Sequence, residues 1–281
     1  MKAKHEKVRK IEGFSPKKRL GQHFLRDGVA IKKIVGFLDL KPNNVVVEIG
    51  PGHGELTREI AKMVSRIIAI EKDEKMVDVL GRLRLGNLEV VRGDALRLLP
   101  SLVTSYQLPV ANYKIIGNIP YYITGQLLRI LGEIKNPPIL SVLAVQREVA
   151  ERVSARPPRM NLLAAAVQIW ADVLVVELIP RKSFVPPPKV DSAVIRLTPK
   201  KQRFGEREAK EYYKVVRAVF KQPRKTLWNN LREIVKDEQK LDSIFKKIGF
   251  TKSTRPQDLS VEEIKKIGSE VNQKSVVINI A

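Results

Sequence analysis

The 281-residue sequence contains no cysteine. Disulfide scaffolds, thiol catalysis and Cys-ligated zinc are therefore excluded, and the composition fits a reducing, cytoplasmic compartment. Histidine is nearly as scarce: His5, His23 and His53 are the only three in the chain, too few for a transition-metal centre to be expected. No segment reaches the roughly 18 uninterrupted apolar residues of a membrane span, so no membrane partner is expected either. Acidic residues are under-represented, with 30 Asp plus Glu against 52 Lys plus Arg.

The resulting net charge of +22 far exceeds what solubility needs. It favours a polyanionic partner, nucleic acid first. The first 25 residues form a basic arm that lacks the apolar core of a signal peptide and carries Glu6 and Glu12 where transit peptides are poor in acid. Part of the charge is equally compatible with solvated surface or with adaptation to heat.

From about Leu40 to Gln146 apolar runs alternate with amphipathic stretches: VVVEI (45 to 49), RIIAIE (66 to 71), LEVVR (88 to 92), YKIIG (113 to 117) and ILSVLAVQ (139 to 146). That is the rhythm of a parallel α/β sheet covered on both faces. ADVLVVELIP (171 to 180) and SAVIRLTP (192 to 199) are separated only by a proline-rich loop. The loop is too short for a helical crossover, so the two read as an antiparallel pair closing the sheet. Beyond Pro199 the pattern turns basic and helical, and the boundaries expected are 1–25 for the arm, 26–199 for a catalytic domain and 200–281 for a small helical domain.

The first long strand runs into Gly50-Pro51-Gly52-His53-Gly54 and then a helical pattern, the order in which a nucleotide-type cofactor is held. The spacing is G-x-G-x-G. The third glycine of a dinucleotide fingerprint would fall at Glu55, which disfavours a pyrophosphate cofactor and, with it, a nicotinamide dehydrogenase. Glu71 ends the next strand, placed to accept the hydroxyls of a ribose, and Asp94 follows the third, placed for an adenine amine. Adenosine with a small charged tail, S-adenosylmethionine, meets that description. Taken singly, each of these residues is also compatible with an ordinary turn, cap or surface acid.

Asn118-Ile119-Pro120-Tyr121-Tyr122 follows the fourth long strand. The N6 amine of adenine is a poor nucleophile because its lone pair is delocalised into the ring. The Asn118 side-chain oxygen and the Ile119 carbonyl can accept its two hydrogens, Pro120 stiffens the turn, and Tyr121 offers a face on which the base stacks. Positioning would then carry the reaction, without metal or strong base. The plainer alternative is a turn with two packing aromatics.

These motifs together resemble the small-subunit ribosomal RNA adenine N6,N6-dimethyltransferases, the kasugamycin-sensitivity family. The likeness rests on Gly21-Gln22-His23-Phe24-Leu25, on Glu48 to Leu56, on Asn118 to Thr124, and on the late loop Phe184 to Ser192. It implies a Rossmann-like class I S-adenosylmethionine-dependent methyltransferase with a seven-stranded mixed sheet and a small helical C-terminal domain. By the same resemblance His23, Leu25, Gly50, Gly52, Glu71, Asp94 and Asn118 contact the cofactor, and Tyr121 and Phe184 sandwich a flipped adenine. The implied substrate is a pair of adjacent adenines in a hairpin loop near the 3′ end of small-subunit RNA, met on an assembling subunit; for oligomeric state, which the sequence leaves open, a monomer is the default expectation.

Two departures from the family pattern stand out. Ala155 to Leu162 lacks the usual Gly- and Tyr-containing segment, and His53 occupies a variable loop position where solvent exposure is expected. For the RNA, Arg147, Arg152 and Arg156 after the fifth long strand, and Lys221, Arg224 and Lys225 in the helical domain, are the candidate contacts. The competing readings are methylation of a large-subunit RNA adenine, and a non-catalytic nucleic-acid-binding factor built on the same fold.

Overall fold

A computed structural model of the chain describes residues 21–105, 108, 112–201 and 205–272. The first twenty residues of the basic arm lie outside the described residues, as do 273–281. The elements are β1 (Phe24–Leu25), α1 (Gly28–Gly36), β2 (Val45–Ile49), α2 (Glu55–Ile60), β3 (Arg66–Glu71), α3 (Glu74–Gly81), β4 (Leu88–Arg92), α4 (Ala95–Ser105), β5 (Tyr113–Asn118), α5 (Thr124–Glu133), β6 (Leu140–Gln146), α6 (Arg147–Val153), α7 (Leu162–Gln168), β7 (Ala171–Ile179), β8 (Phe184–Val185) and β9 (Ser192–Pro199). Four further helices follow: α8 (Glu206–Val219), α9 (Leu227–Leu231), α10 (Glu238–Ile248) and α11 (Val261–Asn272).

Seven strands form one sheet in the order β4-β3-β2-β5-β6-β9-β7. The first five are parallel to one another, and β9 runs antiparallel between β6 and β7. Residues rich in Val and Ile form these strands because branched side chains fit a pleated surface buried on both faces. Alternation assigns the faces: Val45, Val47 and Ile49 join the larger buried cluster, whereas Val46 joins a second one with α1 and α2.

The larger cluster continues without a break into the C-terminal helices, through Tyr212, Val216, Leu231, Phe245 and Ile264. Two hydroxyls reinforce this junction, Tyr212 donating to the Ala165 carbonyl at 3.0 Å and Tyr213 to that of Ala166 at 3.3 Å.

A second, two-stranded sheet pairs β1 with β8. It fastens the segment before α1 to the late loop. Asp27 caps α1 by accepting from the N–H groups of Val29 and Ala30 at 3.0 and 3.2 Å, while Ser183 donates to its other oxygen at 3.0 Å. The Ala30 amide in particular holds the Asp27 carboxyl below its usual range.

Candidate active site

Parallel strands bring their carboxyl ends to one edge, and a ligand crevice opens there in open α/β sheets. At this edge Gly50, Glu71, Asp94 and Asn118, at or just past the ends of β2, β3, β4 and β5, line a single cleft. Gly52, Ile119, Pro120, Tyr121, His23, Leu25 and Phe184 line it too. The structure thus brings together every residue that the sequence nominates for cofactor, catalysis and base stacking.

The glycine turn needs its glycines. Gly50, Gly52 and Gly54 all have left-handed backbones, with φ of 64°, 58° and 82°. A Cβ on Gly52 would lie 2.9 Å from two atoms of the Phe24 ring. The resulting cradle brings the Gly52 N–H to one Glu71 carboxylate oxygen at 3.2 Å, and the Asp73 N–H reaches the other at 2.8 Å. Burial raises the Glu71 pKa against the pull of these amides. Each carboxylate oxygen retains a lone pair for a ribose hydroxyl, so the cradle and the acid fit the adenosine half of S-adenosylmethionine.

Asp94 is positioned differently. Its Oδ2 accepts from the Lys72 ammonium at 2.8 Å and its Oδ1 from the Leu96 N–H at 3.0 Å. Burial pushes its pKa up, but the Lys72 and Leu96 hydrogen bonds outweigh that and hold it below the usual carboxylate range. Glu48, nearly inaccessible beneath the turn, accepts from the Thr57 hydroxyl at 2.6 Å, and burial lifts its pKa to about 8. At neutral pH it is largely the uncharged acid.

Asn118 ends β5 with its amide nitrogen donating to the His23 carbonyl at 2.7 Å. A carbonyl only accepts, so this contact fixes the orientation of the amide and leaves the side-chain oxygen as the free acceptor. The Ile119 N–H donates to the Ala144 carbonyl at 3.0 Å, holding the turn against β6. Tyr121, half-buried, meets the Ser192 hydroxyl at 3.4 Å, and its ring lies 28° from parallel to that of His23. Burial raises the Tyr121 pKa, so its hydroxyl stays neutral. Phe184, only 2% exposed, lies at the back of the cleft, paired through its backbone with Leu25.

One expectation fails. His53 is not in solvent but 4% exposed. The Phe24 ring meets it edge-on at 4.1 Å between centroids, and burial with Arg26 and Arg58 nearby drives its pKa to about 4. Phe24 comes from a segment 29 positions earlier, and nothing local to the glycine turn announced it. Sequence reading also passed over the ion pair of Arg26 with Glu55 at 3.1 Å and the bond from Gln22 to Asp73 at 3.0 Å. Both tie residues 21–27 to the cofactor edge. The second carries a faint signal, since Asp73 stands where a helix N-cap belongs and caps α3.

The candidate RNA contacts are all exposed: Arg147, Arg152, Arg156, Lys221, Arg224 and Lys225. Arg147 pairs with Glu151 at 2.8 Å, and Lys221 with Glu233. The Ala155 to Leu162 stretch reaches the helical side, where the Met160 N–H donates to the Gln257 carbonyl at 3.0 Å, and Arg255 in turn donates to the Arg224 carbonyl at 3.2 Å. Backbones carrying Arg156 and Arg224 are thereby linked through residues 255–257.

Comparison with known proteins agrees with this geometry. Residues 13–273 match the family model described as ribosomal RNA adenine dimethylase. The chain is 35% identical over 263 residues to ribosomal RNA small subunit methyltransferase A of Dehalococcoides mccartyi strain CBDB1, covering 92% of this chain and 89% of the relative. It is 36% identical over 272 residues to the protein of the same name from Natranaerobius thermophilus, covering 90% of each. Among solved structures, a dimethyladenosine transferase from Plasmodium falciparum superposes with a TM-score of 0.72 at 26% identity, over 87% of this chain and 96% of that one. The 23S rRNA methyltransferase ErmE shares the fold at a TM-score of 0.71 and 24% identity, over 89% of this chain and all of the other. With a class I S-adenosylmethionine-dependent methyltransferase fold and a family match across nearly its full length, the chain belongs to the ribosomal RNA adenine dimethylases.

Proposed function

We propose that the protein dimethylates the N6 amines of two adjacent adenines in a hairpin loop near the 3′ end of small-subunit ribosomal RNA. The observation that carries this reading is the Asn118 amide, locked by the His23 carbonyl so that its oxygen is the end left to accept. S-adenosylmethionine, when bound, supplies an electrophilic methyl on a sulfonium centre.

The chain's own residues do the rest. Glu71, Asp94 and the backbone of Gly50 and Gly52 hold the adenosine, with His23 and Leu25 closing the cleft through their main chain and Asn118 at its inner end. The Asn118 oxygen and the Ile119 carbonyl accept the N6 hydrogens, which draws the nitrogen towards tetrahedral geometry and turns its lone pair along the line of attack. Pro120 keeps those two acceptors in register. Tyr121 gives the flipped base a face, and Phe184 forms the apolar wall behind it.

Arg147, Arg152, Arg156, Lys221, Arg224 and Lys225 contact backbone phosphates, and the net charge of +22 supports that role. The working units are the arm (1–25), a catalytic part (26–199) and a helical part (200–281). The enzyme acts as a cytoplasmic monomer on an assembling small subunit.

Nucleoside mass spectrometry tests the reading. Unmethylated small subunits and, in parallel, large subunits are incubated with the protein and S-adenosylmethionine. N6,N6-dimethyladenosine confined to the small-subunit RNA is expected. Signal confined to the large-subunit RNA would reassign the substrate, and no methylation of either, with cofactor bound, would leave a binding factor.

A further inference from the structure

We infer that Lys72 is a positioning residue of the cofactor cleft: its ammonium aims the Asp94 carboxylate at the exocyclic amine of the cofactor's adenine. The inference rests on the proposed contact between Asp94 and that amine, and deepens it by naming the side chain that orients the acceptor.

The sheet puts the two residues side by side. β3 and β4 are parallel neighbours, with Glu71 in register with Arg92 and the Gly93 N–H donating to the Glu71 carbonyl at 2.8 Å. Lys72 leaves the end of β3 and Asp94 follows the end of β4, and both line the cleft together with Gly93 and Ala95. The Lys72 Nζ donates to Asp94 Oδ2 at 2.8 Å, while the Leu96 N–H donates to Oδ1 at 3.0 Å.

Two donors on two oxygens fix the plane of a carboxylate, whereas a single donor leaves it free to pivot. Glu71, one position before Lys72, receives both of its donors from the main chain, the N–H groups of Gly52 and Asp73. Asp94 receives only one that way. Its second donor is a side chain, so here a replaceable residue, and not the path of the backbone, decides where the acceptor points. Both Asp94 oxygens keep further lone-pair capacity. An ionised carboxylate only accepts, so the edge it presents suits a purine amine that donates.

Exposure separates this role from a structural one. The Lys72 side chain is 52% exposed and that of Asp94 27%, and an ion pair so open to water adds little to folding stability. Its effect falls on the direction of the acceptor, and therefore on the one ligand group that the acceptor meets.

Calorimetric titration of the full chain with S-adenosylhomocysteine, and with its analogue carrying unsubstituted purine in place of adenine, tests this. The analogue lacks only the 6-amino group, so the difference between the two ligands isolates the amine contact. Wild type is expected to favour S-adenosylhomocysteine by about tenfold, the order of one hydrogen bond to a charged group. Lys72→Met is expected to bind S-adenosylhomocysteine about fivefold more weakly, the upper range for one exposed ion pair. The same variant is expected to bind the analogue within about twofold of wild type and to keep the wild-type midpoint in urea. Lys72→Arg, which still donates to Asp94, is expected to recover S-adenosylhomocysteine binding to within about twofold. An equal loss on both ligands, with or without a lowered midpoint, would overturn the inference while leaving the Asp94 contact standing. So would a Lys72→Met variant that binds S-adenosylhomocysteine as tightly as wild type, or a Lys72→Arg variant as weak as Lys72→Met. A wild type that does not distinguish the two ligands would overturn the Asp94 contact and this inference together.

Discussion

Glu71 is nearly sealed in the cleft with two backbone amides on its carboxylate, whereas Glu233, on the helical side, meets Lys221 in open solvent. The same contrast separates the two regions as wholes. In the cleft, the key polar groups have directional partners supplied by the backbone: His23 for Asn118, Gly52 and Asp73 for Glu71, Leu96 for Asp94. Across the C-terminal helices the charges are many and mostly exposed, and several are paired with one another. Directional, buried contacts are expensive to lose one at a time; exposed charges act as a sum and are screened by salt.

The sharpest way to break this contrast is at Asn118. Asn118→Ala removes one of the two acceptors and the donor to His23, and turnover is expected to fall by about 10² to 10³, with RNA affinity in a filter-binding assay within about threefold of wild type. An equal loss of both would place Asn118 in substrate binding and erase the distinction. The middle case is the exposed pair Arg224 and Lys225. Replacing both by Ala should weaken RNA binding several-fold at moderate salt, lower the slope of log affinity against log salt by about 1 to 2, and shift unfolding stability by less than about 0.5 kcal/mol. A slope unchanged from wild type would remove this face from the RNA contact.

The smallest effect sharpens the comparison through pH. Glu48 has its pKa raised from 4.5 to about 8 by burial, so between those values the unfolded chain binds fewer protons than the folded one. Stability from this group therefore falls as pH rises through that window. Glu48→Gln keeps an acceptor for Thr57 and abolishes the titration. At pH 8 it is expected to be more stable than wild type in urea unfolding, and to differ little at pH 4.5. His53 works in the opposite sense: held near 4 instead of 6.5, it contributes stability above 6.5 that is lost as pH falls through 4.

Most of the large sheet was legible because its strands are continuous apolar runs of five to nine residues bounded by turn residues. Each of the seven lies within a residue or two of the run that announced it, and the antiparallel closure by β9 followed from loop length alone. The cofactor and catalytic residues were legible for a related reason. They fall at strand ends, so the sheet's parallel register brings them together without further information.

What stayed hidden is whatever depends on contacts between distant short segments. Two-residue strands such as β1 and β8 carry no periodicity. The burial of His53 depends on Phe24 and Arg26, and the parallel approach of His23 to Tyr121 depends on the path of the late loop. Polar residues in loops are read as solvated by default, and only the packing of another segment over them overrides that.

The small sheet also bears on when in folding the cleft comes into being. His23 and Pro186 are 163 positions apart, and β1 and β8 are as widely spaced. A chain stopped between residues 118 and 184 would already contain the glycine turn, Glu71, Asp94 and Asn118, yet would lack the β8 strand that pairs with Phe24 and Leu25 beside them. Closing so long a loop comes late, after the local βα units have formed. Affinity for the methyl donor therefore reports completion of the catalytic part, and a binding signal rising with chain length would time that last closure.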